Sequence, residues 1–475
     1  EGCSVPGFFL RYIRKSGFNL RTNAERDPAW RGGMHRALGA YRGCLAAGGR
    51  AWAARTRLLE NRTDRWSGKS FRTWLGYENS DVVVAMGICA PAACTEARVR
   101  EVVTPSLWYV HLHAAIHGVH FREFEAWVQA HVGHPATAAR LSRAELPRVG
   151  RMLSSEVEEL GHWSELDISW AIIGFWSVGT STLAWNLHRH PELELLYDPK
   201  QEGVGEEHFF IYDRVYHLPL RREVDAFNAQ RRKPGAGRFR RGVKRAEYIM
   251  SPAALARLAE VPGLLAVVVV RDPLERAERK YLKAVAPCLE ASSPQAFPEY
   301  AECVEASGCL VRCAAPRRLA AADEARLLQP LRQAVDALGA PRLLVVDTTE
   351  LEEDDPAFYD RLAAYLGAGR PYPRDPLGRP TGLRRENVQS RTHPRRPPPL
   401  PTERLRQLVG EGRLAAGRAR LRAALRPELA ELRALLKSLP SLRPGGALPA
   451  WAASAERGDE AESEDAGASS EPAPR

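Results

Sequence analysis

The sequence has no run of about 18 uncharged apolar residues, which excludes a membrane-spanning helix of ordinary length. It has neither an initiator Met nor a signal-like start. It begins at Glu1 and reads as a processed or trimmed chain, with any membrane anchor lying outside the fragment. No Cys-x2-Cys pair with matching His spacing occurs, which argues against a zinc site, and no metal is implied elsewhere. No internal repeat is present, which excludes a solenoid. Arg residues are dispersed and no recognisable reader module accompanies them, so no nucleic-acid partner is expected.

What is present is a chain of 475 residues, room for about three compact units, with two folded domains and a tail as the simplest arrangement. Apolar residues make up 44% and charged residues 27%, enough to form a sizeable core and far from the disordered regime. Lys and Arg total 68 against 58 Asp and Glu, a formal charge of +10 carried mostly by Arg. Planar guanidinium forks suit phosphate, sulfate and carboxylate partners.

The 8 cysteines form two groups, Cys3, Cys44, Cys89, Cys94 and then Cys288, Cys303, Cys309, Cys313. Even clusters in separate segments predict disulfides and an oxidising compartment. The sequon Asn61-Arg62-Thr63 agrees with a secretory route and a glycoprotein. The expected location is therefore the Golgi lumen or the extracellular space.

Residues 1–150 mix short helical patterns with one strand, Val82 to Met86, which runs into Gly87-Ile88-Cys89-Ala90-Pro91-Ala92-Ala93-Cys94, read as a loop tied at both ends. Thr95 then caps a short helix. Together with Ser16-Gly17-Phe18 and Leu38-Gly39-Ala40-Tyr41-Arg42-Gly43-Cys44, this stretch resembles the cysteine-rich N-terminal domain of the "nose resistant to fluoxetine" family over about 80 residues. The resemblance implies a disulfide-stapled accessory domain. The multispanning acyltransferase part that usually follows it in that family has no counterpart here.

From Asp167, apolar strands alternate with helical stretches, the signature of a parallel sheet covered by helices. Strand candidates are Ala171 to Phe175, Leu264 to Val270 and Leu343 to Val346. Beyond Pro401, regularly spaced leucines predict one or two amphipathic helices interrupted near Pro427. The expected fold is α/β: a P-loop-like parallel sheet flanked by helices over 165–440, preceded by a small disulfide-rich, mainly helical domain and followed by a disordered tail over 441–475.

Two segments carry the chemistry. Ile172-Ile173-Gly174-Phe175-Trp176-Ser177-Val178-Gly179-Thr180-Ser181-Thr182-Leu183 reads as a buried strand, a Gly-bearing turn and a helix start, whose backbone N–H groups cradle an anion. Its spacing imitates Gly-x4-Gly of a Walker loop, but Thr180 stands at the Lys position, which disfavours a nucleotide hydrolase. Val267-Val268-Val269-Val270-Arg271-Asp272-Pro273 reads as a second buried strand delivering Arg271 to the sheet's carboxyl edge. In isolation, plain packing explains the first segment, and pairing of Arg271 with Asp272 or Glu275 at the strand end explains the second.

Together the two blocks resemble the sulfotransferases that use 3′-phosphoadenosine 5′-phosphosulfate (PAPS), specifically the carbohydrate and heparan-sulfate type. Glu206-Glu207-His208-Phe209-Phe210 is similar to the acidic residue and His-Phe-Phe of the glycosaminoglycan enzymes. Gly242-Val243-Lys244-Arg245 resembles their Lys-bearing block, and Ser390-Arg391-Thr392-His393-Pro394 their late loop over the cofactor. About 230 residues take part, with the motifs in family order. The resemblance implies PAPS as co-substrate and a polysaccharide or glycan acceptor. It gives Glu206, His208 and Lys244 catalytic roles, with Glu206 as general base. It assigns the cofactor to Ser177, Val178, Gly179, Thr180, Ser181, Thr182, Arg271, Arg279, Ser390 and Arg391.

Two positions depart from that pattern. Ser177 stands where the family has a Lys or Arg in the first loop, and Arg279 where it has a Ser eight residues after the Arg. The missing loop cation leaves an alternative open: a sulfotransferase-fold protein that binds a nucleotide or acidic glycan without turnover. Lys244 or Lys200 is a candidate substitute for that charge.

Overall fold

A computed structural model describes residues 12–13, 39–58, 83–104 except 102, 153–198, 205–211, 218–233 except 232, 239–289, 296–311 except 306–307, 317–352, 356–376, 383, and 401–453 except 444–445. The chain forms two compact units, Glu1–Leu166 with Tyr212–Gln230, and Asp167–Ile211 with Arg231–Arg475. The sequon, Lys200, Ser390 and Arg391 lie outside the described residues.

The first unit holds strands β1 (Tyr12–Ile13), β2 (Gly49–Leu58), β3 (Val83–Pro91) and β4 (Leu153–Glu159) in one sheet of order β1-β3-β2-β4. Every neighbouring pair is antiparallel. Where mainly helix was expected, the described residues of this unit show a sheet, with helical residues at 39–46, 96–101 and 103–104, in the turn Trp163–Glu165 and in the segment Arg221–Asn228. Trp52 and Ala54 on β2 and Ile88 and Ala90 on β3, each pair two residues apart and so on one face of the sheet, share one buried cluster. β3 runs on through Gly87 to Pro91, where a loop was expected, because its ladder with β2 continues to the Gly49–Pro91 pair, and the Cys44–Cys89 disulfide ties this strand to the 39–46 helix. Thr95 does cap the next helix, its hydroxyl accepting from the Arg98 amide. Tyr212–Gln230 joins this unit through a bridge between Leu160 and Leu220 and an ion pair between Arg221 and Glu165.

The second unit is α/β. Strands β5 (Trp170–Ile172), β6 (Leu193–Leu196), β7 (Arg240–Lys244), β8 (Leu265–Val270) and β11 (Leu343–Asp347) form an all-parallel sheet of order β11-β8-β5-β7-β6, flanked by helices. The apolar run Ala266 to Val270 is fully buried, as the centre of a parallel sheet requires. β7 was not among the expected strands because its sequence, Arg-Arg-Gly-Val-Lys, is polar. Arg241 is nonetheless buried, donating to Asp167 at 2.7 Å and lying 3.6 Å from the buried Glu194. A small hairpin of β9 (Cys309–Val311) and β10 (Arg317–Leu319) follows, and the Cys303–Cys309 disulfide closes its entrance. The Cys44–Cys89 and Cys303–Cys309 bridges fall within the cysteine groups read from the sequence, and Cys94 and Cys288 are also disulfide-bonded.

Helices that matter below are α1 (Thr180–Arg189), α2 (Pro273–Leu289), α3 (Thr402–Val409) and α4 (Glu411–Ser438). The expected break near Pro427 is absent. α4 runs through it, because Pro427 and Ala423, whose carbonyl loses its partner, both lie on the water-facing side. The break falls instead at Gly410, with φ 95°. The tail expected to be disordered from 441 onward is ordered at its start: Ser441 bridges Val345, and Trp451 Nε1 donates to Asp347 Oδ2 at 2.7 Å. Residues 454–475 lie outside the described set. Among the described residues no helix is long and apolar enough to cross a membrane.

Candidate functional site

Chain order and spatial order disagree at β5: β6 and β7 lie on one side of it, and β8 and β11 on the other. The crevice outside the carboxyl ends of the strands opens at such a reversal. Three segments leave the sheet there. They are the turn from β5 into α1, the Lys244-Arg245 end of β7, and the Arg271 end of β8 from which α2 starts.

The turn after β5 is shaped by close packing. A Cβ on Gly174 would lie 2.8 Å from the Val269 amide nitrogen and 2.9 Å from its carbonyl oxygen, so only glycine lets the turn descend against β8. Ser177 has φ 63° and is the only non-glycine residue with positive φ among the described residues. A left-handed serine costs on the order of 1 kcal/mol, which the surrounding contacts offset. Gly179, φ 90°, is the N-cap of α1 and has no side chain to satisfy the first-turn amides. That leaves the helix start open to a ligand oxygen.

On the β7 side the charges are already matched. Lys244, buried at the end of the strand, donates from Nζ to Ser181 Oγ at 2.9 Å and to Glu206 Oε1 at 3.0 Å. Burial lowers the Lys244 ammonium below its usual value, against the pull of Glu206. Arg245 Nη1 lies 3.5 Å from Glu206 Oε2 and also pairs with Glu247. Glu207 turns away from the site: it is buried, and its Oε1 accepts from the His208 and Phe209 amides at 2.8 and 3.0 Å. His208 Nδ1 is 4.0 Å from Asp198. Burial, followed by the charge of Arg245, lowers the His208 pKa and favours the neutral ring.

On the β8 side the charges are unbalanced. Arg271 Nη1 donates to Glu275 Oε1 at 2.7 Å, and Arg279 Nε donates to the same oxygen at 2.8 Å. One carboxylate oxygen thus serves two guanidinium groups. Three further cations of α2 lie along the turn. The Arg276 guanidinium stacks 4.8 Å from the Phe175 ring, Lys280 Nζ sits 4.6 Å over Trp176, and Lys283 Nζ donates to Ser177 Oγ at 3.0 Å. Thr348, just past β11, ties the edge together by donating to Val270 O at 2.8 Å or Val178 O at 3.2 Å.

The structure therefore brings Ser177, Val178, Gly179, Thr180, Ser181, Thr182, Glu206, Lys244, Arg271 and Arg279 to one edge of one sheet. His208 follows them as a flank of Glu206. Sequence reading did not single out Arg276, Lys280 and Lys283, nor Arg245 as a neighbour of Glu206. The signal was there for the first three, because spacings of four and three residues put cations on one helix face. Among the described residues no group of His, Cys, Asp or Glu is arranged to hold a metal ion.

No protein-family model and no curated protein matches the chain. Among solved structures, a sulfotransferase from Alicyclobacillus acidocaldarius aligns with 20% identity over 55% of this chain and 96% of that one, at a TM-score of 0.32. A likeness that slight carries no weight, and the chemistry of the site rests on its own residues.

Proposed function

We propose that the chain transfers a sulfuryl group from PAPS to a hydroxyl, or an amine, of a carbohydrate acceptor in a lumenal or extracellular compartment. The observation that carries this reading is Lys244. Its single ammonium touches both Ser181 in the first turn of the anion-cradling helix and the carboxylate of Glu206, so it couples the donor's place to a proton acceptor. The disulfides agree with the compartment, and the open helix start with its excess of cations fits a donor that carries phosphates.

The donor supplies the activated sulfuryl group. The acceptor oxygen forms the new bond to sulfur as the bond from sulfur to the 5′-phosphate oxygen breaks, and that electron pair leaves on the phosphate. The acceptor proton passes to Glu206. Lys244 and the α1 amides hold the charge that develops on the phosphate, and catalysis is mainly positioning and electrostatics, as in phosphoryl transfer. Arg271 holds the donor's second phosphate.

Calorimetry with 3′-phosphoadenosine 5′-phosphate, followed by transfer of radiolabelled sulfate onto a glycan panel, tests the reading. Arg271→Ala is expected to abolish nucleotide binding, and Glu206→Gln to spare binding while removing transfer. Equal loss of binding in both variants contradicts the assigned roles. Ser177 favours a second reading, binding without turnover, and nucleotide binding with no transfer to any glycan would select it.

A further inference from the structure

The turn after β5, Ile173 to Gly179, carries no cation of its own, but the fold brings one from the side. Lys283 lies ten residues into α2, and its ammonium is anchored by Ser177 Oγ at 3.0 Å. Among the described residues this is its only hydrogen bond, and it makes no ion pair. An ammonium carries three donors, so most of its capacity is turned to the surroundings of the turn.

Its charged neighbours are cations. Partial desolvation, and then the charges of Lys280, Arg279 and Arg271, lower the Lys283 ammonium from its ordinary value. The acid nearest these groups, Glu275, already serves Arg271 and Arg279. The Lys283 ammonium, without an ion pair among the described residues, set among like charges and beside a helix start with no side-chain cap, is complementary to an anion of more than one charge. Ser177 fixes the geometry, since its left-handed backbone turns the hydroxyl toward α2. Trp176, with 47% of its surface exposed, lies beside it under Lys280 and reports on the site by fluorescence.

We propose that Lys283, oriented by Ser177, is an anion-contacting residue of the site and supplies from α2 the positive charge that the turn itself lacks. Its ligand is a phosphoanhydride-like anion, a class that pyrophosphate and a phosphosulfate share. Identifying that anion with the 5′-phosphosulfate of the donor rests on the function proposed above. The arrangement makes Ser177 a positioning residue, and it explains why this position tolerates a neutral side chain.

The test is calorimetry at fixed ionic strength on the full chain with two probes, inorganic pyrophosphate and 3′-phosphoadenosine 5′-phosphate. Losing one charged hydrogen-bond donor is expected to weaken both in Lys283→Met by roughly ten- to hundredfold. Lys283→Arg keeps the charge and is expected to stay within about threefold of wild type. Lys437→Met, a charge loss at the far end of α4, is expected to change neither. Pyrophosphate affinity in Lys283→Met equal to that in Lys437→Met overturns the inference, as does a wild-type protein that binds neither probe. Pyrophosphate binding that depends on Lys283, with no nucleotide binding, keeps the inference and removes the function proposed above.

Discussion

Helix α2 has two charged faces built on opposite rules. On one, Glu278 is 1% exposed and accepts from Arg406 of α3 and Arg418 of α4, each at 2.6 Å. On the other, Arg276, Lys280 and Lys283 lie along the turn after β5, at spacings of four and three residues. On a 3.6-residue helix Glu278 falls roughly opposite that stripe. The first face is saturated, since both oxygens of the buried acid have a guanidinium partner, and it locks α2 to α3 and α4. The second carries cations on aromatic rings and on a hydroxyl, and Lys283 there lacks a counter-ion. Charge that is matched inside the protein holds the fold together, and charge that is left over is available to a ligand.

The sharpest way to break this contrast is Glu278→Ala. Removing a buried acid with two guanidinium partners is expected to cost about 3 kcal/mol in urea unfolding. The figure stays moderate because Arg406 and Arg418 are part-exposed and can turn to water. Pyrophosphate affinity of the folded protein is expected to stay within about twofold. Loss of anion binding in that variant, while it remains folded, would show that the two faces are not separable.

A pH series probes the ligand face. The Lys283 ammonium sits below its ordinary value, so its charge disappears as pH rises, and earlier than that of an isolated lysine. Affinity for 3′-phosphoadenosine 5′-phosphate is expected to fall with rising pH in wild type and to fall less in Lys283→Arg, whose guanidinium stays charged, the remaining fall being that of Lys244, which burial also lowers. A parallel fall in both would assign the titration to another group.

The smallest effect is expected for Lys280→Ala. Its contact with the part-exposed Trp176 contributes about 0.5–1 kcal/mol, and the visible change is a shift in Trp176 emission with little loss of thermal stability. A stability loss as large as that of Glu278→Ala would mean that this face is structural as well.

Much of the α/β unit was legible along the chain. Val267 to Val270 is an uninterrupted β-branched run, as a strand buried on both faces favours, and Leu343 to Val346 is likewise an uninterrupted apolar run. Gly174 and Gly179 marked the turn, because a close approach and a positive φ each ask for glycine. β7 was hidden, since the acids that neutralise Arg241 come from Asp167 and Glu194, far away in sequence. The sheet of the first unit was hidden for a related reason: its strands are separated by long segments, and β3 passes straight through a Gly-Pro-rich stretch that looks like a loop.

The sequence by itself determined where three of the five parallel strands run, that the turn after β5 must carry glycine, and that cations recur on one face of α2. These are local facts, fixed by side-chain period and backbone sterics. Only the tertiary structure decided that this face lies along that turn, that Lys283 meets Ser177, and that Lys244 joins Ser181 to Glu206. Each such contact spans dozens of residues, and a charge shows whether it is matched or left over only after the chain has folded and its neighbours are set.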